Sequence, residues 1–134
     1  ALRDNHNPID RNLVVCDKLD FDVARNATLK LLESDNRPDA ILAFNDIVTY
    51  AAFDAIKAKG LRIPQDVAII GFTDGDSAAL VTPRLTAIMD KAHEQGTKAC
   101  ELLMRSINGD EKIYKEVVPM ILKIRESSEK QESL

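Results

Sequence analysis

Polar side chains that could bind a small molecule occur at three places, each directly after a short apolar run. They lie in residues 17–21, 45–46 and 73–76, with Lys18 as the one basic residue among them. Carboxylate and amide oxygens accept hydrogen bonds, so these segments suit the hydroxyl or amine donors of an uncharged ligand and repel phosphates and carboxylates. A polyol such as a sugar, stacked on an aromatic face, matches this chemistry.

Each of these residues also has a purely structural interpretation. Asp20 and Asp46 stand where helix N-caps are expected. Phe44 and Phe72 end apolar runs, and such residues are more often part of a core than of a ligand platform. Asn45 is the hardest to explain structurally, because Asp46 already supplies a cap. The prediction of a site therefore depends on the convergence of the three segments.

The motifs of several enzyme classes are absent from the sequence. It contains neither of the glycine-rich phosphate-binding motifs, and His93-Glu94 is not followed by a second histidine at a zinc-binding spacing. Asp74-Gly75-Asp76 resembles the D-x-D loop of haloacid-dehalogenase-like phosphotransferases, but here it follows the third predicted strand, whereas in that family it follows the first. We therefore expect no catalysis, no metal and no cofactor.

The elements that must position these side chains alternate along the chain. Apolar runs predict strands at residues 13–16, 40–44, 67–72, 85–89 and 117–124. Helical patterns predict helices that begin after Asp20, at Asn45-Asp46 and over residues 91–108, the second ending near Gly60. This alternation is typical of a parallel α/β sheet, and ligands bind such sheets at the carboxyl ends of their strands.

Length, composition and charge limit the possible classes further. The chain has 134 residues, of which 45% are hydrophobic and 30% charged, and its net charge is −4. These values indicate a globular domain that should not grip nucleic acid by itself, and no apolar run approaches the roughly 20 residues that span a bilayer. Cys16 and Cys100 are expected to be buried free thiols, which fits a cytoplasmic setting.

The segment from Arg37 to Ile88 resembles the C-terminal part of the effector-binding core of LacI/GalR-type transcriptional regulators. Its matching elements are Pro38-Asp39-Ala40-Ile41, Phe44-Asn45-Asp46, Gly60-Leu61-Arg62-Ile63-Pro64, Gly71-Phe72 and Thr82-Pro83-Arg84-Leu85-Thr86. Residues 92–107 and 119–128 match the family's later helix and closing strand, so the resemblance covers nearly the whole chain. The resemblance implies a doubly wound parallel sheet of the periplasmic-binding-protein-like type I, present as a fragment. It also implies a homodimer, a small-molecule effector bound between two subdomains, and operator binding through an N-terminal helix-turn-helix that lies outside these residues.

The resemblance also suggests which residues contact the effector. Asn45 matches the family's ligand-contacting Asn, whereas Thr73 stands where the family often has an Asp, with Asp74 next. A stacking aromatic of the family falls at Leu19, with Phe21 close by. The predicted ligand-binding residues are Asn45, Asp46, Thr73, Asp74, Leu19 and Phe21. A periplasmic sugar-binding protein of a transporter, or a magnesium-dependent phosphatase, remains the alternative.

The resemblance further predicts how the chain is divided. Residues 1–125 are expected to be the C-terminal part of the effector-binding core, and residues 126–134 a frayed polar tail. Helix 91–108 would normally pack on an N-terminal subdomain, so its apolar face of Ala99, Leu103 and Ile107 would lack that partner. We therefore expect self-association, for example by exchange of this helix between two chains.

Overall fold

The structure, a computed structural model, describes residues 2–73 and 76–129. Three α-helices and four strands follow one another in the described part of the chain. They are α1 (Phe21–Glu33), β1 (Ala40–Ala43), α2 (Asp46–Ala58), β2 (Ala68–Phe72), β3 (Thr86–Met89), α3 (Ala92–Ile107) and β4 (Ile121–Lys123). Short 3-10 helices cover Arg3–Asn5, Arg11–Leu13 and Asp76–Ala79.

The four strands form one sheet in the order β1-β2-β3-β4. β1, β2 and β3 are parallel, and β4 runs antiparallel to β3 at the edge. Ala43 lies opposite Gly71, so β1 and β2 end side by side. The predicted α/β class with a mostly parallel sheet is confirmed, and four of the five predicted strands are present with shifted or shorter bounds. β4 begins two residues after Pro119, consistent with the restriction of proline to strand edges and ends.

Local side-chain chemistry explains where the helices begin and end. The carboxylate of Asp20 accepts hydrogen bonds from the backbone nitrogens of Asp22 and Val23, as an N-cap does. Gly60 follows α2 with a φ of +69°, and Gly109 follows α3 with a φ of +90°. These are left-handed conformations that glycine adopts without steric cost, so the predicted helix ends are confirmed.

The core lies on one face of the sheet, beneath α2. Ile69 and Ala87 on the strands pack in one buried cluster with Ala52, Phe53 and Ile56 of α2. The helix comes so close to β2 that a Cβ atom at Gly71 would lie 2.4 Å from the side chain of Thr49. Gly71 is therefore required by the spacing between helix and strand, and α2 is well buried, as its apolar pattern predicts.

The opposite face of the sheet is apolar and open. Side chains alternate between the two faces of a strand, so Leu42, Ile70 and Ile88 point away from the core cluster. Leu42 is 65% exposed. No helix among the described residues covers this face, and α3 buries none of its own residues there. Parallel sheets are normally covered on both faces, so this surface is available for packing.

The prediction of a strand at residues 13–16 is wrong. Asp10 caps a 3-10 helix over Arg11–Leu13 by accepting a hydrogen bond from the backbone nitrogen of Asn12. The following Val14 and Val15 are exposed, and no described strand pairs with the outer edge of β1. An apolar run becomes a strand only where a neighbouring strand accepts its hydrogen bonds, and the described sheet offers this segment none.

The prediction of two buried thiols is also wrong. Cys16 and Cys100 are both free and exposed. Cys16 belongs to the unpaired segment that precedes α1, and Cys100 lies on α3, which buries no residue within the described part of the chain. Their exposure follows from the exposure of these two elements.

The expectation that the chain frays from Glu126 is contradicted at the first residues of the predicted tail. Ser127 is fully buried, and its hydroxyl donates to the carbonyl of Ile69 at 2.6 Å and accepts from the backbone nitrogen of Thr86 at 2.8 Å. Arg84 pairs with Glu126 at 2.6 Å and lowers the pKa of that carboxyl group by hydrogen bonding. The segment thus fastens the amino ends of β2 and β3 together.

No helix in the described residues has both the length and the apolar character needed to cross a membrane.

Replacement of Gly71 by alanine is expected to lower the free energy of unfolding by about 1–3 kcal/mol, because the added methyl group meets the side chain of Thr49. The double variant Gly71→Ala/Thr49→Ala should recover part of this loss, since two of the clashing atoms are then absent. Gly96→Ala is the control, because a Cβ there meets nothing within 4 Å. Urea denaturation of these three variants and of Thr49→Ala completes the cycle, and a loss in the double variant equal to the sum of the two single losses would contradict the proposed contact.

Replacement of Ser127 by alanine is expected to cost about 1–3 kcal/mol, because it leaves the carbonyl of Ile69 and the nitrogen of Thr86 without their buried partner. Ser106→Ala, at an exposed position of α3, should leave the unfolding midpoint nearly unchanged. Thermal unfolding followed by circular dichroism makes the comparison. Equal midpoints for the two variants would show that the C-terminal segment does not hold the strands.

Candidate functional site

The polar residues predicted to bind a ligand lie where β1 and β2 end. Asn45 is the N-cap of α2, and its side-chain oxygen accepts a hydrogen bond from the backbone nitrogen of Val48 at 2.9 Å. The structure therefore reverses the expected roles, because Asn45 is the cap and Asp46 is the first residue of the helix. The amide nitrogen of Asn45 makes no hydrogen bond with a described residue, so it can donate to a ligand.

Asp46 carries an acceptor that nothing in the described structure uses. Its Oδ1 atom is buried and has no hydrogen-bond partner within residues 2–73 and 76–129. A buried polar atom without a partner costs about 1–3 kcal/mol, and folded proteins retain very few of them. Among the described residues, this oxygen is thus one of two buried side-chain oxygens without a hydrogen-bond partner.

Thr73 carries a second atom of this kind. The residue is 5% exposed, and its Oγ1 atom is buried with no hydrogen bond to any described residue. Its backbone nitrogen donates to the carbonyl of Ile88 at 3.2 Å, which fixes the backbone at the end of β2. Because Ala43 and Gly71 are in register, Asn45 and Thr73 each lie two residues beyond that pair at neighbouring strand ends.

Two aromatic rings flank these strand ends. The ring centroids of Phe44 and Phe72 are 6.2 Å apart at an angle of 42°, which is a common geometry for an aromatic pair. Phe44 is 71% exposed, so the expectation that it belongs to the core is wrong. Phe72 is half-buried. Together the rings form an apolar surface against which the flat face of a ligand can stack.

Of the other predicted ligand-binding residues, Leu19 and Phe21 do not follow a described strand, and Asp74 is not among the described residues. Leu19 and Phe21 are exposed at the start of α1, after a segment that does not join the sheet. Of the three segments expected to converge, only the two that follow β1 and β2 lie at the ends of described strands. A ligand role for Leu19 and Phe21 stays a prediction. Asp74 lies outside the described residues, and its predicted role also stays open.

The electrostatic character of the strand ends is set by Asp46 and by the helix that it begins. The amino end of α2 carries partial positive charge, and the carboxylate of Asp46 lies in its first turn. No group of three or more His, Cys, Asp or Glu side chains in the described part of the chain could hold a metal ion. The described groups suit hydrogen bonding and stacking.

An open groove of about 540 Å³ lies elsewhere, along α3, and includes none of the predicted site residues. Its lining residues are Thr97, Cys100, Glu101, Met104, Arg105 and Asn108. Beside it, the hydroxyl of Tyr114 donates to Asp110 at 2.7 Å and the guanidinium group of Arg105 lies 5.4 Å from the centroid of its ring. These contacts fold the segment after α3 back on the helix.

The sequence leaves two features of the site open. Phe44 and Phe72 have both a core and a ligand-surface interpretation, and in the structure Phe44 is exposed and Phe72 is half-buried. Asn45 and Asp46 can each cap a helix, and sequence alone does not say which of the two does so. The Asn-Asp pair after an apolar strand is the signal that predicts both as site residues.

Comparison with known proteins identifies the relatives of this fold. Residues 4–128 match the family model described as a periplasmic binding protein-like domain. The transcriptional regulator DegA of Bacillus subtilis is 32% identical over 129 residues, which are 96% of this chain and 38% of DegA. The chain therefore spans well under half the length of this relative.

Solved structures agree with this assignment. A regulatory protein of the LacI family from Chloroflexus aggregans superposes with a TM-score of 0.85 at 32% identity, over 95% of this chain and 46% of that one. The regulator CelR, solved as a complex with cellobiose, gives a TM-score of 0.85 at 28% identity, over 95% of this chain and 39% of that one. The chain belongs to the family of periplasmic binding protein-like domains, in the form that LacI/GalR-type transcriptional regulators use as their effector-binding core.

Proposed function

We propose that the chain binds a neutral small molecule, a sugar, at the ends of β1 and β2, and that this binding regulates transcription. The observation that carries the proposal is that Asn45, Asp46 and Thr73 follow the neighbouring ends of β1 and β2, that two of their side-chain oxygens are buried without a described partner, and that Phe44 and Phe72 end the same two strands. One free amide donor, one carboxylate acceptor and one hydroxyl match adjacent hydroxyl groups of a sugar. The apolar face of a sugar ring would lie against Phe44 and Phe72.

The regulatory part of the proposal follows from the family. Effector binding would shift the equilibrium between arrangements of the whole protein that differ in affinity for operator DNA. DNA would be contacted by an N-terminal helix-turn-helix, and the protein would act in the cytoplasm without catalysing a reaction. The regulators among its relatives support this proposal, and they do not favour a transport protein or a phosphatase.

We expect Asn45→Ser to weaken sugar binding at least tenfold, because serine keeps the helix cap but removes the amide donor. Isothermal titration with a panel of neutral sugars that includes cellobiose, ribose and glucose measures the loss. The control is Asn26→Ser, the same replacement at an exposed position of α1. Unchanged affinity in Asn45→Ser would contradict the site, and a wild-type chain that binds no sugar would contradict the proposed function.

We also propose that the chain forms a homodimer in which apolar surfaces of two copies cover one another. α3 exposes Leu103, Met104 and Ile107, and the open face of the sheet exposes Leu42 in the same chain. The apolar face of α3 in one copy can therefore pack on the open apolar face of the sheet in the other copy. Helix 91–108 could equally pack on a second subdomain of a longer protein, as the family suggests.

The chain is expected to self-associate in a concentration-dependent way, and Leu103→Glu should raise the dissociation constant at least tenfold by placing a charge in the apolar contact. Light scattering after size exclusion measures both effects. Lys98→Gln, which changes the net charge equally on the polar face of α3, is the control. A wild-type chain that stays monomeric at high micromolar concentration would contradict the homodimer.

A further inference from the structure

We infer that Tyr50 is a positioning residue for the proposed sugar site, because it fixes the 3-10 helix Asp76–Ala79 relative to α2. The hydroxyl of Tyr50 donates a hydrogen bond to the hydroxyl oxygen of Ser77 at 2.8 Å. Neither side chain belongs to the set predicted to contact the ligand. The inference rests on the proposed function, and it adds a residue that acts on the backbone beside the site and not on the sugar itself.

Tyr50 presents its hydroxyl from a fixed position on α2. It lies between Thr49 and Ala51, which are both fully buried. Its own side chain is half-buried and packs against the core cluster. Because packing holds the ring and only two rotatable bonds place it, the hydroxyl has little freedom to move. The position of Ser77 is therefore tied to the helix whose N-cap is Asn45.

The 3-10 helix Asp76–Ala79 begins close to the end of β2 where a sugar is proposed to bind. Thr73 follows β2 and precedes the first residue of this helix by three positions, so their Cα atoms are at most about 11 Å apart. Ala78 is fully buried, and its carbonyl accepts a hydrogen bond from the backbone nitrogen of Leu85 at 2.8 Å. Among residues 2–73 and 76–129, the bond to Ser77 is the only side-chain hydrogen bond that joins the 3-10 helix to α2.

The hydrogen bond is weak enough for the 3-10 helix to be released as well as held. Ser77 is exposed, so water competes for its hydroxyl, and such a bond shifts an equilibrium by about two- to tenfold. A tenfold shift centred on equal populations changes each population by about threefold. In the proposal only the held arrangement presents the backbone after Thr73 to a sugar, so the apparent affinity follows the held fraction. Tyr50 thereby raises the affinity without contacting the ligand.

The test removes one hydroxyl at a time from the 134-residue chain. Tyr50→Phe keeps the ring and its packing. In titration calorimetry it should raise the dissociation constant of whichever of cellobiose, ribose and glucose the wild type binds by about two- to threefold. Ser77→Ala should have the same effect, and the double variant should be no weaker than either single variant, because both changes remove the same bond. Tyr114→Phe is the matched control and should leave the affinity unchanged, since its hydroxyl bonds to Asp110 beside α3.

A measurement without ligand separates positioning from support of the fold. The backbone nitrogen of Leu80 donates to the carbonyl of Ser77 at 3.1 Å, so its amide reports whether the 3-10 helix is held. Hydrogen exchange at this amide should be about two- to threefold faster in Tyr50→Phe, whereas exchange at the Ala24 amide of α1 should not change. The urea midpoint should stay close to that of the wild type, because the bond is exposed to water.

The outcomes distinguish the positioning role from the sugar site itself. Unchanged sugar affinity in Tyr50→Phe, losses that add in the double variant, or unchanged exchange at Leu80 would overturn the positioning role and leave the proposed function standing. A urea midpoint lowered as far as in Ser127→Ala would show that the hydroxyl supports the fold, and it would also contradict the inference. Failure of the wild type to bind any of the three sugars would overturn the proposed function, and the inference with it.

Discussion

The close approach of α2 to β2 is the constraint on which the candidate site depends. Gly71 has no side chain, so Thr49 of the helix packs directly against the strand backbone. Because Thr49 lies one turn beyond Asn45 and its hydroxyl donates to the carbonyl of that residue at 2.6 Å, the same contact fixes the start of the helix. The cap and the carboxylate of Asp46 are therefore held in place beside the end of β2 by a packing contact in the core.

The buried apolar core offsets the cost of two unpartnered polar atoms at the strand ends. Each unpartnered oxygen works against folding, and the apolar burial of residues such as Ile56, Ile69 and Leu85 offsets this cost. The amino ends of β2 and β3 are held together by the hydroxyl of Ser127. At the carboxyl ends of β1 and β2, the Oδ1 of Asp46 and the Oγ1 of Thr73 lack a partner among the described residues.

Local signals predicted the elements well, and tertiary context decided the rest. The caps at Asp20 and Gly60 depend on nearest neighbours, so sequence identifies them. The segment at residues 13–16 has the apolar run of a strand, but no described strand pairs with it. An apolar run does not indicate whether a neighbouring strand is present to pair with it. Ser127 shows the reverse case, because a serine in a polar stretch gives no local sign that Ile69, 58 residues away, will bury it.

The same distinction applies to the site. Residue types predicted an acceptor-rich binding surface, because the chemistry of Asn, Asp and Thr does not depend on the fold. Which oxygen is free depends on which residue caps α2, and only the structure shows that Asn45 does so. The choice of capping residue has a chemical consequence. If Asp46 were the cap, its carboxylate would accept the helix hydrogen bond, and the neutral amide of Asn45 would remain at the strand end. Capping by Asn45 instead leaves the carboxylate of Asp46 outside the cap, and in the proposed function it would accept hydrogen bonds from a ligand.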